Sequence, residues 1–165
     1  VHAEFHSRFS ARSRRYVYLL ASQPHRPGLH SRRVGWTHWP IEMSRVEAAL
    51  PALWGTHDFT SFRAAECQAK SPIKTMHSAT VSAHGNLLRF EFHADAFLHH
   101  MIRNIMGALV YIGNGRQPAD WLNTLIAQKD RKLAAPTFSP DGLYLAGIEY
   151  DRRFNIPEIF VDPWL

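Results

Sequence analysis

A stripe of four polar side chains interrupts an apolar segment. With a step of about 100° per residue, a helix over residues 97–112 places its apolar side chains on one half of its circumference and His99, His100, Arg103 and Asn104 on the other. A stripe of this kind is commonly a solvated face. This one contains no Lys or Glu, the residues that usually solubilise a helix. Its composition favours contact with an anion or a nucleobase.

Two arginines precede a tyrosine in the sequence Arg14-Arg15-Tyr16. An aromatic ring beside guanidinium groups can stack on a base while the arginines hold its phosphate. In a β-strand Tyr16 and Tyr18 point to the same face. Spacing alone therefore leaves open which tyrosine contacts a ligand and which belongs to the core.

The basic residues are concentrated near the start of the chain. The net charge is +5, yet residues 1–33 contain seven arginines and a single acid, Glu4. Arginine outnumbers lysine fifteen to four, and its planar fork of donors suits bidentate contact with phosphate. The charge favours a polyanionic partner, nucleic acid before membrane. A solvated basic surface without a partner is the alternative.

The eleven histidines raise the question of a metal site. His2 and His6 have the i, i+4 spacing of a helical ligand pair, but no third ligand accompanies them. On one helix His99 and His100 point to different sides, so they cannot chelate the same ion. We expect no metal.

Hydrolase chemistry and disulfides are also disfavoured. The sequence has no G-x-S-x-G motif, and Cys67 is the only cysteine, which excludes an internal disulfide and a C-x-x-C zinc site. No segment reaches the roughly 18 apolar residues of a membrane span. We therefore expect a cytoplasmic protein without a membrane partner.

The secondary-structure pattern predicts an α+β fold, with a mixed or antiparallel sheet and helices packed on one face. Residues 1–150 are expected to form one domain and residues 151–165 an irregular tail. The strand over 87–94 alternates apolar with polar residues, which predicts one buried face and one face in water. The predicted elements are a strand at 9–21, a helix at 45–54 capped by Ser44 and kinked at Pro51, a hairpin of strands at 73–83 and 87–94, a helix at 97–112 capped by Asp95, a helix at 118–128 and a strand at 143–150.

Five segments together resemble the TruA family of tRNA pseudouridine synthases. Their order along the chain, with KDR at 129–131 before the last, makes the combination specific. The segments are 5–11 (FHSRFSA), 14–18 (RRYVY), 55–63 (GTHDFTSFR), 97–107 (FLHHMIRNIMG) and 142–145 (GLYL).

The resemblance implies an isomerase that converts uridine to pseudouridine in the anticodon stem-loop of tRNA, acting as a homodimer without metal or organic cofactor. Matched by motif, Tyr16 corresponds to the tyrosine that stacks on the target uracil, Leu143 to a leucine that packs against the base, and Arg103 to the arginine that pairs with the catalytic aspartate. Further RNA contacts are expected from Arg8, Arg14, Arg15, His99 and His100.

The sequence departs from the family pattern in one respect. The nucleophile of such enzymes lies in an Arg-Thr-Asp-Ala-Gly-Val-His stretch, and no such stretch occurs in these residues. We therefore expect the chain to be the C-terminal part of the synthase, carrying one wall of the active site and inactive alone. The alternative is a non-catalytic RNA-binding or assembly module on the same scaffold.

Overall fold

The computed structural model describes residues 4–163. These residues form a six-stranded sheet and three α-helices, joined by short 3₁₀ turns, and the predicted α+β class is confirmed. The elements are β1 (Ala11–Ser22), β2 (Gly35–Thr37), α1 (Met43–Ala49), β3 (Gly55–Asp58), β4 (Ile73–His84), β5 (Leu87–Ala94), α2 (Met101–Gly113), α3 (Trp121–Gln128) and β6 (Leu143–Tyr150).

Strand β1 is the centre of the sheet. It pairs antiparallel with β5 along one edge, and on its other edge it pairs antiparallel with β6 and then parallel with β2. The sheet continues from β5 to β4 and β3, so its order is β2-β1-β5-β4-β3, with β6 also on β1. The sheet is mixed because of the single parallel pair.

The helices cover one face of this sheet, as predicted. Alternate residues of β1, Tyr18 and Leu20, join the main core with apolar side chains of the helices. The intervening residues Val17, Leu19 and Ala21 face the other way and form a smaller cluster with Val34 and Ala146. Both faces of β1 are therefore buried, and its position in the fold is strongly specified.

Helix α1 begins earlier and ends sooner than its pattern predicts. Its N-cap is Glu42, and Ser44 lies inside the first turn with its hydroxyl donating to the Glu42 carboxylate at 3.0 Å. The predicted cap at Ser44 is wrong. The predicted break at Pro51 is confirmed, because the α-helix passes into a 3₁₀ turn at Leu50–Leu53, where proline lacks the N–H that an α-helix uses.

Helix α2 starts at Met101, four residues later than predicted, and Asp95 does not cap it. The Asp95 carboxylate instead accepts hydrogen bonds from the Thr75 and Ala96 amides, at 3.0 and 2.6 Å. It thus ties the start of β4 to the end of β5. The residues between Asp95 and Met101 are left as a connection outside the helix.

The polar face of β5 is covered, not open to water as predicted. Arg89 is only 9% exposed, and its guanidinium pairs with Glu91 at 3.0 Å and with Asp162 of the tail at 3.2 Å. The tail reaches this face along β6, where Val161 donates its amide to the Ala146 carbonyl at 2.8 Å. Among residues 4–163, no helix combines the length and apolarity that crossing a membrane requires.

Gly142 permits the junction of β1, β2 and β6. Its φ is +92°, and an added Cβ would overlap the Leu19 carbonyl oxygen and lie 2.5 Å from the Gly35 amide nitrogen. Its own carbonyl accepts the Leu19 amide at 2.8 Å. No other residue fits here without moving a strand.

We predict that Gly142→Ala lowers the free energy of unfolding by more than about 2 kcal/mol, because it adds backbone strain to a steric overlap with strand backbone. Chemical denaturation measures this value. Gly28→Ala is the matched control, since Gly28 has open space around its Cβ position and no positive φ, and it should be neutral or slightly stabilising. Equal effects of the two substitutions would contradict the assignment.

Candidate functional site

One cleft of about 510 Å³ collects most of the residues singled out above. Strand β1 contributes Tyr16, the start of β6 contributes Leu143, and the first turn of α2 contributes Arg103. Arg8, His99 and His100 also line it, together with residues 66–69 and 97–98. Side chains that are distant in sequence thus meet in one concave site.

The structure separates the two candidate tyrosines. Tyr18 is fully buried, and its hydroxyl donates to the Ser139 carbonyl at 2.9 Å. Tyr16 lies at the cleft, with its ring packed edge-to-face on Phe97 at a centroid distance of 5.1 Å. Burial raises the pKa of Tyr16, and Arg14 offsets this only in part, so the phenol is neutral at neutral pH. Tyr16 is the tyrosine available to a ligand.

Arg103 is held by a backbone carbonyl. Its Nε donates to the Phe138 carbonyl at 2.8 Å, and the Phe138 amide donates to the Arg103 carbonyl at 3.1 Å. Within residues 4–163, no carboxylate lies within ion-pairing distance of its guanidinium. Arg103 therefore presents the cleft with an oriented positive charge that has no acidic partner in this part of the chain.

The helical pattern predicts that Asn104 belongs to a polar stripe at the surface. In the structure Asn104 is completely buried. Its Nδ2 donates to the Phe62 carbonyl at 2.8 Å, and its Oδ1 accepts from Arg131 at 3.0 Å and from Thr137 at 2.7 Å. Residues 131–139 pack over this side of α2, which periodicity cannot reveal. Asn104 thus fixes the segment whose Phe138 carbonyl orients Arg103.

His99 and His100 lie side by side, which corrects the prediction that they point to different sides of a helix. They precede α2, and His100 has a left-handed backbone with φ of 59°, a conformation that costs about 1–3 kcal/mol for a residue other than glycine. Their rings stack with centroids 3.9 Å apart. One carboxylate oxygen of Glu66 lies 3.5 Å from His99 Nδ1 and 3.8 Å from His100 Nδ1.

The charge state of His100 follows from its surroundings. Burial, the Arg103 guanidinium and the His99 ring all lower the pKa of His100, and Glu66 opposes them only in part. The imidazole is therefore neutral at neutral pH. It faces the cleft as a hydrogen-bonding group and not as a second fixed cation.

Residues 66–69, a short segment that the sequence pattern does not single out, also line the cleft. Arg63 donates to the carbonyls of Cys67 and Ala69, both at 2.8 Å, and the His99 amide donates to Cys67 Sγ at 3.3 Å. Desolvation raises the pKa of Cys67, but hydrogen bonds from the Ala69 and His99 amides and the Arg63 guanidinium together bring it below its usual value. Residues 66–69 are thereby held rigidly against the start of α2.

The arginine pair of β1 is divided between the two faces of the strand. Arg14 donates to the carbonyls of Arg8, Ala11 and Asp95, at 2.6, 3.3 and 2.7 Å. Arg15 pairs with Glu91 and Glu149 at 3.3 and 3.4 Å on the opposite face. Neither lines the cleft. Their predicted contact with RNA stays a prediction, whereas Arg8 lies at the cleft itself.

Comparison with known proteins gives consistent matches. Residues 49–151 match the family model described as tRNA pseudouridine synthase. The chain is 57% identical over 155 residues to tRNA pseudouridine synthase A of Dechloromonas aromatica, an alignment that covers 94% of this chain and 59% of the relative. It is 51% identical over 154 residues to tRNA pseudouridine synthase A of Nitrosomonas europaea, covering 93% and 57%. The chain thus spans less than three fifths of the length of these relatives.

We predict that Asn104→Ala lowers the free energy of unfolding by about 1–3 kcal/mol, because it leaves the buried Phe62 carbonyl without its donor and removes one of the three acceptors of the Arg131 guanidinium. Thermal or chemical denaturation measures the change. Asn123→Ala is the control, since Asn123 is exposed on α3 and its substitution should stay within about 0.5 kcal/mol. A similar small effect at Asn104 would show that the buried bonds contribute little.

Proposed function

The chain belongs to the tRNA pseudouridine synthase family, and on that premise we propose that it forms one wall of the cleft in which a tRNA uridine becomes pseudouridine. The observation that supports this most is the meeting of Tyr16, Arg103 and Leu143 from three separate elements in one cleft. Tyr16 supplies an aromatic ring on which a base can stack, Arg103 a positive charge and Leu143 an apolar contact. These are the three groups that an extruded base and an attacking carboxylate require.

The proposed reaction is an isomerisation within the nucleoside. An aspartate carboxylate attacks the nucleoside, the bond between the sugar and the uracil nitrogen breaks, and the uracil turns. Carbon 5 then bonds to the sugar, the carboxylate is released, and carbon 5 loses its proton while the freed nitrogen gains one. Tyr16 stacks on the uracil, and its edge-to-face contact with Phe97 fixes the plane of that stack. Leu143 packs against the base. No metal or organic cofactor takes part.

Arg103 is proposed to pair with the aspartate and orient it. A guanidinium beside a carboxylate favours its ionised form and supplies two directed hydrogen bonds. The bond from Arg103 Nε to the Phe138 carbonyl leaves its other N–H groups to the cleft. No acid among residues 4–163 forms an ion pair with Arg103. Its positive charge is therefore available to a carboxylate that enters the cleft.

The aspartate is proposed to come from outside the 165 residues. The chain lacks the family's Arg-Thr-Asp-Ala-Gly-Val-His stretch, and no Asp side chain of the described residues lines the cleft. The isolated chain is therefore expected to be inactive, as the C-terminal cleft domain of a longer enzyme with residues 151–165 as its tail. We propose that the whole enzyme is a cytoplasmic homodimer that modifies the anticodon stem-loop.

RNA is proposed to contact the side of the cleft formed by Arg8, His99 and His100, with Arg14 adding positive charge nearby; Arg15 is also proposed to contact RNA, although Glu91 and Glu149 offset its charge. Arg8 lies in the cleft in the strongly basic first part of the sequence. Phosphate contacts of this kind release counterions and weaken as salt rises. Binding of the isolated chain to tRNA should therefore depend on salt.

We predict that Arg8→Glu weakens tRNA binding at low salt and reduces the slope of log K against log salt by about 1 for the lost phosphate contact. Fluorescence anisotropy with labelled unmodified tRNA measures both. Arg45→Glu is the control with the same charge change, because it disrupts only an exposed pair with Glu42. Equal losses in the two variants would contradict a specific contact at the cleft.

In the full-length enzyme we predict that Arg103→Ala lowers kcat at least about 100-fold, the usual loss when an oriented electrostatic group leaves an active site. Binding of tRNA should change only a few-fold, because many other contacts hold the RNA. A pseudouridine assay and a separate binding assay measure the two quantities. Arg116→Ala, beyond the far end of α2, serves as the control, and near-normal turnover of Arg103→Ala would overturn the proposed role.

A further inference from the structure

We propose that Glu66, His99 and His100 form a binding site for a divalent transition-metal ion of the zinc type. One ligand atom from each of the three side chains lies within 4.8 Å of those of the other two. The Glu66 carboxylate oxygen is 3.5 and 3.8 Å from the two imidazole nitrogens. Ligands around a tetrahedral Zn²⁺ are about 3.4 Å apart, given bonds of about 2.0–2.2 Å.

The donor set determines which ion the site prefers. Two imidazole nitrogens and one carboxylate oxygen suit Zn²⁺ and the neighbouring ions Co²⁺, Ni²⁺ and Cu²⁺. Mg²⁺ and Ca²⁺ prefer oxygen ligands throughout and are not expected to bind. Three protein ligands leave a fourth coordination position for water or for a small anion in the cleft.

The backbone that carries the ligands is already in place. The Ala64 amide donates to the His99 carbonyl at 3.2 Å, and the His99 amide donates to Cys67 Sγ at 3.3 Å. The Arg63 guanidinium donates hydrogen bonds to the Cys67 and Ala69 carbonyls, which holds the backbone next to Glu66 in place. The ligand-bearing segments therefore need no refolding to bind an ion, which reduces the entropic cost of forming the site.

Only side chains have to move. The histidine rings are stacked with centroids 3.9 Å apart and an interplanar angle of 30°, so the lone pairs of their nitrogens lie in two separate, roughly stacked planes. The side chain of His99 is 52% exposed and that of Glu66 is 62% exposed, which leaves both free to rotate toward solvent. Rotation of the exposed His99 and Glu66 side chains is the adjustment by which the three ligand atoms, already within 4.8 Å of one another, would converge on one ion.

The experiment titrates the 165-residue chain with Co²⁺, whose visible d–d spectrum reports its coordination, and with Zn²⁺ by calorimetry. A single ion per chain is expected. Glu66→Gln and the double variant His99→Ala/His100→Ala should each weaken affinity more than about tenfold, since even residues that merely orient a metal ligand contribute 10–100-fold. Mg²⁺ should not compete.

A control variant separates this site from others on the chain. His25→Ala removes an exposed histidine away from the cleft and should bind as the parent does. Circular dichroism establishes that each variant is folded. Absence of binding, binding unaffected by Glu66→Gln and the double variant, or binding lost with His25→Ala would each overturn the proposal. None of these outcomes depends on synthase activity.

Discussion

The pairing of β1 with β5 and β6 at the same time is the constraint on which the rest of the structure depends. Tyr16 lies opposite Phe92 of β5 and Leu145 of β6, while Tyr18 lies opposite Phe90 and Leu143. A shift of one residue would exchange the two faces of β1 and place Tyr16 away from the helices. Burial of both faces makes such a shift costly, so the register that builds the core also places Tyr16 at the cleft.

Backbone carbonyls, more than ion pairs, position the charged groups around the cleft. Arg14, Arg63 and Arg103 all donate to main-chain oxygens, and Asn104 holds the segment that supplies the carbonyl for Arg103. A carbonyl orients a guanidinium without neutralising it. The cleft therefore retains positive charge for an anionic ligand, whereas the arginines on the far face of the sheet are matched by acids.

The connection between β5 and α2 places several functional groups close together. Because α2 begins only at Met101, His99 and His100 are released from helical geometry and come together beside Glu66. The left-handed conformation of His100 stores strain in the way that functional sites often do. It allows adjacent residues to present their rings on one side of the chain.

The sequence by itself determined the α+β class, the β4–β5 hairpin, the break in the helical segment at Pro51 and the end of α2 at Gly113, because periodicity, proline and glycine act over a few residues. The family motifs also predicted Tyr16, Arg103 and Leu143 as residues of the site. Only the tertiary structure decided the start of α2, the burial of Asn104 and the covering of Arg89, since these involve contacts with residues 64–67, with residues 131–139 and with the tail, respectively. It likewise showed that His99 and His100 face the same way and that Arg14 and Arg15 point apart. Contacts between residues far apart in the chain leave no local pattern, and these side chains are placed by such contacts.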